Sequence, residues 1–442
     1  MNPTYYLLNL GCAKNQVEGE HIAGMLLAAG YAAVAAPEAA DLLVVNTCGF
    51  IRPAVEENIA AILELAQGKL AGQRLVVAGC LVGRYGRKLA RSLPEVDLMI
   101  GPGEIINLPK IIQAEADRPC FAMSQPLSVL DSDTPRAIST GPAWAYLRVA
   151  DGCEHRCAFC TIPRIRGKLR SRGIDDILTE ARRLAECGVR EINLVAQDLC
   201  SFGRDRAGSA ELVDLLQALS AIEALTWIRL LYLSPDSLET PLIQAMTGTA
   251  KVLPYFDLPL QHIADPVLRA MGRGKNGAQL RALLAEIRGR SPQAVLRTTL
   301  LVGHPGEGEA EFTELVDLVN DFGFDHLGCF AFEPEAGTRS ARLEAPPAKL
   351  GRARAKQIMA AQRRVSRERL KRRKGQEAEV LVLGPHPESD LVWHGRLASQ
   401  APEVDGQVII TDGAAPPGSI ARCRITKTHA YDVEAVLLTA GN

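Results

Sequence analysis

Three cysteines within eight residues, Cys153, Cys157 and Cys160, constrain this chain more than any other feature of its sequence. They follow the apolar run AWAYLRVA, which predicts a buried strand, so these loop cysteines share one tight turn at a strand end. Cysteine thiolates are the usual ligands of iron–sulfur clusters, and three of them leave one iron of a cubane cluster open. A zinc site that includes His155, or inert thiols, are the alternatives to a cluster.

The composition of the 442-residue chain predicts a folded cytoplasmic protein. Eleven cysteines without an export signal favour metal or redox chemistry over disulfides. A net charge of −1 does not indicate electrostatic attraction to nucleic acid or to a membrane. No run approaches the roughly 18 apolar residues of a membrane helix, and the first residues, MNPTYYLLNLGCAKN, lack the features of a signal peptide. We therefore expect no membrane partner.

The alternation of strand and helix patterns predicts an α/β protein with three domains. The first part reads as an open parallel sheet with helices. Six further strands predict a partial (β/α)6 barrel, with its chemistry at the C-terminal strand ends. These strands are expected at 144–149, 191–195, 227–231, 255–258, 296–301 and 326–332. Short alternating runs near the end predict a small all-β barrel. The predicted boundaries are 1–120 for the sheet domain, 121–142 for a linker, 143–374 for the (β/α)6 barrel with a basic C-terminal helix, and 375–442 for the all-β barrel.

A second set of cysteines, Cys12, Cys48 and Cys80, follows three predicted strands of the first domain. Ligands of open parallel sheets gather at the carboxyl ends of the strands, so these strand-end cysteines can converge although they are far apart in the chain. Gly11 and Gly79 precede two of them, and glycine would let the backbone approach a bulky cluster. Three buried structural cysteines are the alternative, because free cysteine is a common core residue.

The order of the motifs resembles that of the methylthiotransferases, which belong to the radical S-adenosylmethionine superfamily. The matching motifs are GCAKNQVEGE, NTCGFIRPAVEE, the cysteine loop, IPRIRGKLRSR, AQDLCSFGRD, LPLQH, AMGRG and LVGHPGE. They cover nearly the whole chain, and the last domain is similar to a TRAM domain. GCAKN, IPRIRG and AQD resemble the RimO type, which modifies a ribosomal protein. The MiaB type, which modifies tRNA adenosine, usually reads GCQMN and VPYTRG. Ala13, Gly19 and His304 depart from the family pattern.

The resemblance implies two [4Fe-4S] clusters, one on the loop cysteines and one on the strand-end cysteines. The first would bind S-adenosyl-L-methionine and generate a 5′-deoxyadenosyl radical, and the second would carry the sulfur that is transferred. Phe159, Gln197 and Asp198 would contact the S-adenosyl-L-methionine. The implied product carries a methylthio group on the β-carbon of an aspartate in protein twelve of the ribosomal small subunit. That protein, free or within the subunit, an electron donor and a sulfur donor are the implied partners.

Five cations follow the cysteine loop, namely Arg164, Arg166, Lys168, Arg170 and Arg172. An arginine fork among them would suit the carboxylate of a bound cofactor. The alternative is a solvated loop, because charge runs usually face water. A second basic stretch, at 363–374, predicts either a solvated helix between two domains or a contact with rRNA or the substrate.

Charge favours a protein over RNA as the substrate. Residues 376–442 contain nine acidic and four basic side chains, a net charge of −5. A domain of this sign would repel RNA phosphates and attract a basic ribosomal protein. Its two aromatic residues, Trp393 and Tyr431, are few for a base-stacking surface. A tRNA substrate is therefore the less favoured alternative, and a zinc or nucleic-acid binding protein without enzymatic activity is a remote one.

Overall fold

Parallel strands separated by helices form the first domain of the structure, a computed structural model that describes residues 2–114, 120–141, 143–206 and 211–438. The strands are β1 (Thr4–Asn9), β2 (Ala32–Ala33), β3 (Leu42–Thr47), β4 (Arg74–Gly79), β5 (Leu98–Ile100) and β6 (Cys120–Ala122). The helices are α1 (Ala13–Ala28), α2 (Arg52–Gln67), α3 (Cys80–Tyr85), α4 (Arg87–Ser92) and α5 (Leu108–Ala114). The strands form one parallel sheet in the order β2-β1-β3-β4-β5-β6.

Strand β3 lies inside this sheet and is buried along its whole length. Val44 belongs to an apolar cluster with Ile22 of α1, whereas Val45 belongs to another with Ile62 of α2. Helices thus cover both faces, as a parallel sheet requires. Because β1, β3 and β4 are neighbours in register, their carboxyl ends lie side by side.

The three strands predicted before Cys12, Cys48 and Cys80, with the sequences YYLLNL, DLLVVNT and RLVVAG, are confirmed as β1, β3 and β4. The sequence analysis missed β2, β5 and β6, because two or three residues carry too little periodicity to be recognised. Strand β6 extends the sheet to the start of the segment that was predicted as a linker. Residues 123–141 contain neither a helix nor a strand, and Pro142 lies outside the described residues.

The second domain contains the predicted partial barrel. Its strands are β7 (Trp144–Arg148), β8 (Ala150–Asp151), β9 (Arg170–Ser171), β10 (Glu191–Val195), β11 (Trp227–Leu230), β12 (Tyr255–Gln261), β13 (Val295–Val302) and β14 (His326–Ala331). Its helices are α6 (Ile162–Arg166), α7 (Ile174–Glu186), α8 (Glu211–Ser220), α9 (Thr240–Gly248), α10 (Asp265–Met271), α11 (Gly277–Arg290), α12 (Glu309–Phe322) and α13 (Ala348–Lys371). Six strands form two parallel sheets, β11-β10-β7 and β12-β13-β14, while β8 and β9 pair with each other.

All six predicted barrel strands are confirmed, with ends that differ by a few residues at most. The two sheets meet beyond β11, where the backbone N–H of Leu233 donates to the carbonyl of Asp257 at 2.9 Å. The apolar pattern at 209–222 predicts a helix, and the structure contains α8 there, although residues 207–210 lie outside the described residues. None of the helices in the described ranges combines the length and hydropathy that a bilayer span requires.

A closed five-stranded barrel forms the third domain, as predicted. Its strands are β15 (Glu377–His386), β16 (Ser389–Leu397), β17 (Val408–Asp412), β18 (Ile420–Thr428) and β19 (Val433–Leu437). It docks on the N-terminal ends of the strands in the second domain. Arg396 lies 2.5 Å from Glu191, the first residue of β10, and Asp405 accepts a 2.6 Å hydrogen bond from Tyr255, the first residue of β12. The third domain therefore lies at the end of the (β/α)6 barrel opposite the carboxyl strand ends.

Candidate active site between the first and second domains

A cavity of about 270 Å³ lies between the carboxyl strand ends of the first domain and those of the second. All six predicted cluster ligands border it, namely Cys12, Cys48, Cys80, Cys153, Cys157 and Cys160. The loop cysteines and the strand-end cysteines therefore face one chamber, although they belong to different domains.

The loop cysteines follow β7 and β8, where backbone contacts hold the turn. Gly152 has φ +83°, and a Cβ atom on it would lie 1.9 Å from the carbonyl oxygen of Lys168, so only glycine can begin this loop. The backbone N–H of Ala158 donates to the carbonyl of Met271 at 2.7 Å. This bond ties the loop to the end of α10, across the mouth of the (β/α)6 barrel.

The strand-end cysteines converge because their strands are neighbours. Cys12 caps α1, Cys48 follows β3, and Cys80 begins α3. The Asn15 side-chain oxygen lies 3.8 Å from the sulfurs of both Cys12 and Cys80, and its Nδ2 donates to the Thr47 carbonyl at 2.8 Å. One amide side chain thus links the ends of three strands.

Gly11 and Gly79 lie where neighbouring strand ends approach each other closely. Both have positive φ, +112° and +97°. A Cβ atom on Gly11 would lie 2.8 Å from the Cβ of Cys48, and one on Gly79 would lie 2.7 Å from Asn46 Oδ1. The space beside each glycine is filled by a neighbouring strand end, so these residues let the strand ends pack against one another.

Burial controls the protonation of most of these thiols. It raises the pKa of Cys153 to about 11 and that of Cys160 to about 12. Burial likewise raises the pKa of Cys80 to about 12, against the opposing effect of Arg166. Burial would also raise the pKa of Cys12, but Lys14 and the backbone N–H of Asn15 outweigh it and lower that pKa. A metal group that binds these thiols must therefore displace protons.

The donor set fits multi-iron groups rather than a single zinc ion. In the part of the chain that the structure describes, no three His, Cys, Asp or Glu side chains are grouped so that they could hold one metal ion. His155, the fourth ligand in the zinc alternative, contacts Asp198, with 2.7 Å between its Nε2 and Asp198 Oδ2. Two sets of three thiols suit two cubane clusters, in which each thiolate binds a different iron.

Gln197 and Asp198 lie after β10 and border the cavity, but of the two only Gln197 has a side-chain acceptor without a partner among the described residues. Asp198 accepts hydrogen bonds from the backbone N–H groups of Cys200 and Ser234, both at 3.0 Å, and from the Ser201 hydroxyl at 2.5 Å. Gln197 Nε2 donates to Asp151 Oδ1 at 2.5 Å, while its buried Oε1 has no hydrogen-bond partner among the described residues. Gln197 can therefore accept a hydrogen bond from a ligand, whereas Asp198 holds a turn in place.

Phe159 also borders the cavity. Its ring lies edge-on to His304, with 6.2 Å between the ring centroids. His304, which departs from the family pattern, lies 2.7 Å from the Ser340 hydroxyl, so this departure is accommodated within the structure.

Two of the five cations after the loop are buried, so the solvated-loop alternative is wrong for them. Arg166 donates to Cys80 Sγ at 3.1 and 2.9 Å and to Glu18 at 2.8 and 2.7 Å. Arg172 pairs with Asp176 at 2.7 Å on helix α7. The Arg166 fork faces a carboxylate of α1 and a sulfur of the strand-end cysteines, and therefore it joins the two domains.

The cavity residues to which the sequence analysis assigned no role include Lys14, Tyr232, Gln261 and Arg273. Tyr232 and Gln261 have φ of 63° and 69°, which is uncommon for residues other than glycine. Arg273 lies 3.6 Å from Cys157 Sγ and 3.3 Å from Asp236. Lys14, Gln261 and Arg273 lie in the motifs GCAKN, LPLQH and AMGRG, and this was the one signal that could have identified them.

Three family models match the chain. The uncharacterized protein family UPF0004 matches residues 4–101, the radical SAM superfamily matches 147–319, and the TRAM domain matches 375–438. A ribosomal protein uS12 methylthiotransferase RimO from Syntrophobacter fumaroxidans is 47% identical over 98% of both chains. The protein of the same description from Geobacter sulfurreducens is 42% identical over 97% of both chains.

Solved structures share the fold at low sequence identity. The radical S-adenosylmethionine methyltransferase TsrM from Kitasatospora setae, with tryptophan and a cofactor analogue bound, has a TM-score of 0.55 and 15% identity. The match covers 74% of this chain and 73% of that one. Identity of 40–47% to the curated relatives extends over at least 97% of the chain. The chain therefore belongs to the RimO family of ribosomal protein uS12 methylthiotransferases, within the radical SAM superfamily.

Proposed function

We propose that this protein attaches a methylthio group to the β-carbon of an aspartate in ribosomal protein uS12. The observation that carries this proposal is the convergence of two sets of three cysteines on one cavity between two domains. The full-length identity to uS12 methylthiotransferases supports the same substrate. The less favoured alternative is the same chemistry on tRNA adenosine.

In this proposal the loop cysteines hold one [4Fe-4S] cluster together with S-adenosyl-L-methionine, and the strand-end cysteines hold the other. When bound, these groups supply a radical that removes hydrogen from carbon and a sulfur that becomes the methylthio group. The protein positions them, since each set of thiols is fixed at the end of rigid strands. The thiol protons leave as the clusters bind.

The other predicted site residues have distinct tasks in this proposal. The free Gln197 Oε1 accepts a hydrogen bond from the amine of S-adenosyl-L-methionine, and Phe159 borders the cofactor. Asp198 is a positioning residue, because hydrogen bonds within the protein use both of its oxygens. Arg166 donates hydrogen bonds to Glu18 and Cys80, and so it fixes the position of the two sets of cysteines relative to each other.

The acidic third domain suits a basic ribosomal protein better than RNA. Five acidic side chains of this domain are exposed and have no ion pair in the described part of the chain, namely Glu379, Glu388, Asp390, Glu403 and Asp412. We place the reaction in the cytoplasm, because the substrate is a ribosomal protein, free or within the subunit. An electron donor and a sulfur donor complete the set of partners. We retain the division of the chain at 1–120, 121–142, 143–374 and 375–442.

Mass spectrometry of uS12 and of tRNA from cells with and without this protein tests the proposed substrate. We expect one methylthio group on an aspartate of uS12, only in cells that contain the protein. Methylthiolated adenosine in tRNA together with unmodified uS12 would support the tRNA alternative.

The cofactor assignment is tested with Cys153→Ala, Cys157→Ala and Cys160→Ala, combined in one variant. We expect the loss of about one cluster per chain and of 5′-deoxyadenosine formation, because three ligands of that cluster are removed. Cys187→Ala is the matched control, since this thiol is exposed and lies away from the cavity. Full cofactor cleavage by the triple variant would refute the assignment of the loop cysteines.

A further inference from the structure

Lys14 differs from the other long cations at the cavity, because it lacks an acidic partner. Arg166 is bonded to Glu18, and Arg273 lies 3.3 Å from Asp236. No carboxylate of the described residues lies within 4 Å of the Lys14 ammonium. Lysine is charged at neutral pH, so the cavity contains a cation that a ligand could neutralise.

An aromatic ring holds this ammonium in place. Lys14 Nζ lies 3.2 Å from the centroid of the Tyr232 ring, a cation–π contact. Tyr232 presents its ring from a backbone with φ of 63°, which is fixed by a 2.9 Å hydrogen bond from its N–H to Asp257. Residues other than glycine persist in this conformation where the surrounding structure enforces it, often at ligand sites. The ring orients the charge, and the N–H donors of the ammonium that do not face the ring can still bind a carboxylate.

The position of Lys14 suits an acidic ligand. It lies in the first turn of the 16-residue helix α1, two residues after Cys12. The N-terminus of a helix favours anions, so the helix and the ammonium attract the same group. Both sets of cysteines border the same chamber. The motif GCQMN of the tRNA-modifying type has methionine at the position of Lys14.

We propose that Lys14 binds the side-chain carboxylate of the substrate aspartate and thereby selects an acidic residue for modification. The proposal rests on the proposed function and names the residue that recognises the substrate. The β-carbon of aspartate is bonded directly to the carboxylate carbon. A carboxylate on Lys14 therefore places the reacting carbon within the chamber that both sets of cysteines share.

The test is the affinity of the full-length protein, carrying its clusters, for uS12 with aspartate or asparagine at the modified position. Wild type and the variants Lys14→Met, Lys14→Arg and Lys88→Met are titrated with both forms. Lys88→Met is the control, since Lys88 is exposed on α4 and away from the cavity. Iron content is measured for every variant.

We expect the wild-type protein to prefer the aspartate form by about ten- to a hundredfold, the usual effect of a charged hydrogen bond. Lys14→Met should abolish this preference, because it should lower the affinity for the aspartate form of uS12 and leave the affinity for the asparagine form unchanged. Lys14→Arg should retain most of the preference. Lys88→Met should keep the full preference. If Lys14→Met lowers the affinity for both forms of uS12 equally, the proposal is overturned, because Lys14 would then interact with a group other than the aspartate carboxylate. If the wild-type protein does not bind uS12 at all, the proposed function itself fails.

Discussion

Arg136 joins the first two domains through buried charges, and its replacement by methionine should destabilise the protein. The residue belongs to the segment between the domains, and its side chain is only 7% exposed. It donates to Glu20 of α1 at 2.8 and 2.5 Å and to Glu180 of α7 at 2.5 Å. One guanidinium therefore neutralises a carboxylate from each domain.

The two carboxylates would respond differently to the loss of this cation. Glu180 would retain Arg172, which lies 2.5 Å away. Among the described residues, Glu20 would retain the backbone N–H and the hydroxyl of Ser139 as its hydrogen-bond donors, at 2.8 and 2.7 Å. An uncompensated buried charge costs about 3–5 kcal/mol, so we expect Arg136→Met to lower the free energy of unfolding by that amount. Adding Glu20→Gln removes the unpaired charge and should restore a large part of the loss.

Urea unfolding of the cluster-free protein at neutral pH measures this effect. The fluorescence of Trp144 and Trp227 reports on the second domain, where both are buried. Arg182→Met is the control, since this arginine is exposed on α7 and its replacement should change stability by less than about 0.5 kcal/mol. The reasoning is refuted if Arg136→Met has the same free energy of unfolding as the control. It is also refuted if Glu20→Gln, added to Arg136→Met, lowers the free energy of unfolding further instead of raising it.

Three further predictions concern the second cluster, acid stability and the third domain. With all strand-end cysteines changed to alanine, the protein should still form 5′-deoxyadenosine but transfer no methylthio group; methylthiolated product would mean that these cysteines are structural. Burial would raise the pKa of Glu180, but two arginines outweigh it and hold the pKa at about 2, below its ordinary value of 4.5. This carboxylate thus contributes stability above pH 4.5 that is lost as the pH falls toward 2. The urea midpoint of Glu180→Gln should therefore fall less steeply over that pH range than the midpoint of the wild-type protein. If the two midpoints fall in parallel, the ion pairs of Glu180 do not contribute to acid stability. Glu388→Lys combined with Asp390→Lys should weaken uS12 binding at low salt more than Glu95→Lys, an exposed site on the first domain. If both changes weaken uS12 binding equally, the third domain does not contribute to substrate recognition.

The longer strands and the proximity of the loop cysteines could be predicted from the sequence alone. All six strands of the (β/α)6 barrel were predicted, because apolar periodicity over four or more residues is a local property of the chain. The loop cysteines lie within eight residues, so their proximity follows from chain connectivity alone. The strand-end cysteines needed one further rule, that ligands gather at the carboxyl ends of parallel strands. The local sequence pattern does not predict the strand order, which makes β1, β3 and β4 neighbours.

Contacts between residues far apart in the chain could not be predicted from the sequence. Lys14 and Tyr232 are more than 200 residues apart in the chain but lie 3.2 Å from each other. Arg166 reaches Glu18 across a sequence separation of 148 residues. The third domain covers the end of the (β/α)6 barrel opposite the cavity, which its composition could not indicate. Such contacts depend on how whole domains dock, whereas periodicity, turn chemistry and charge counts describe only the chain near each residue.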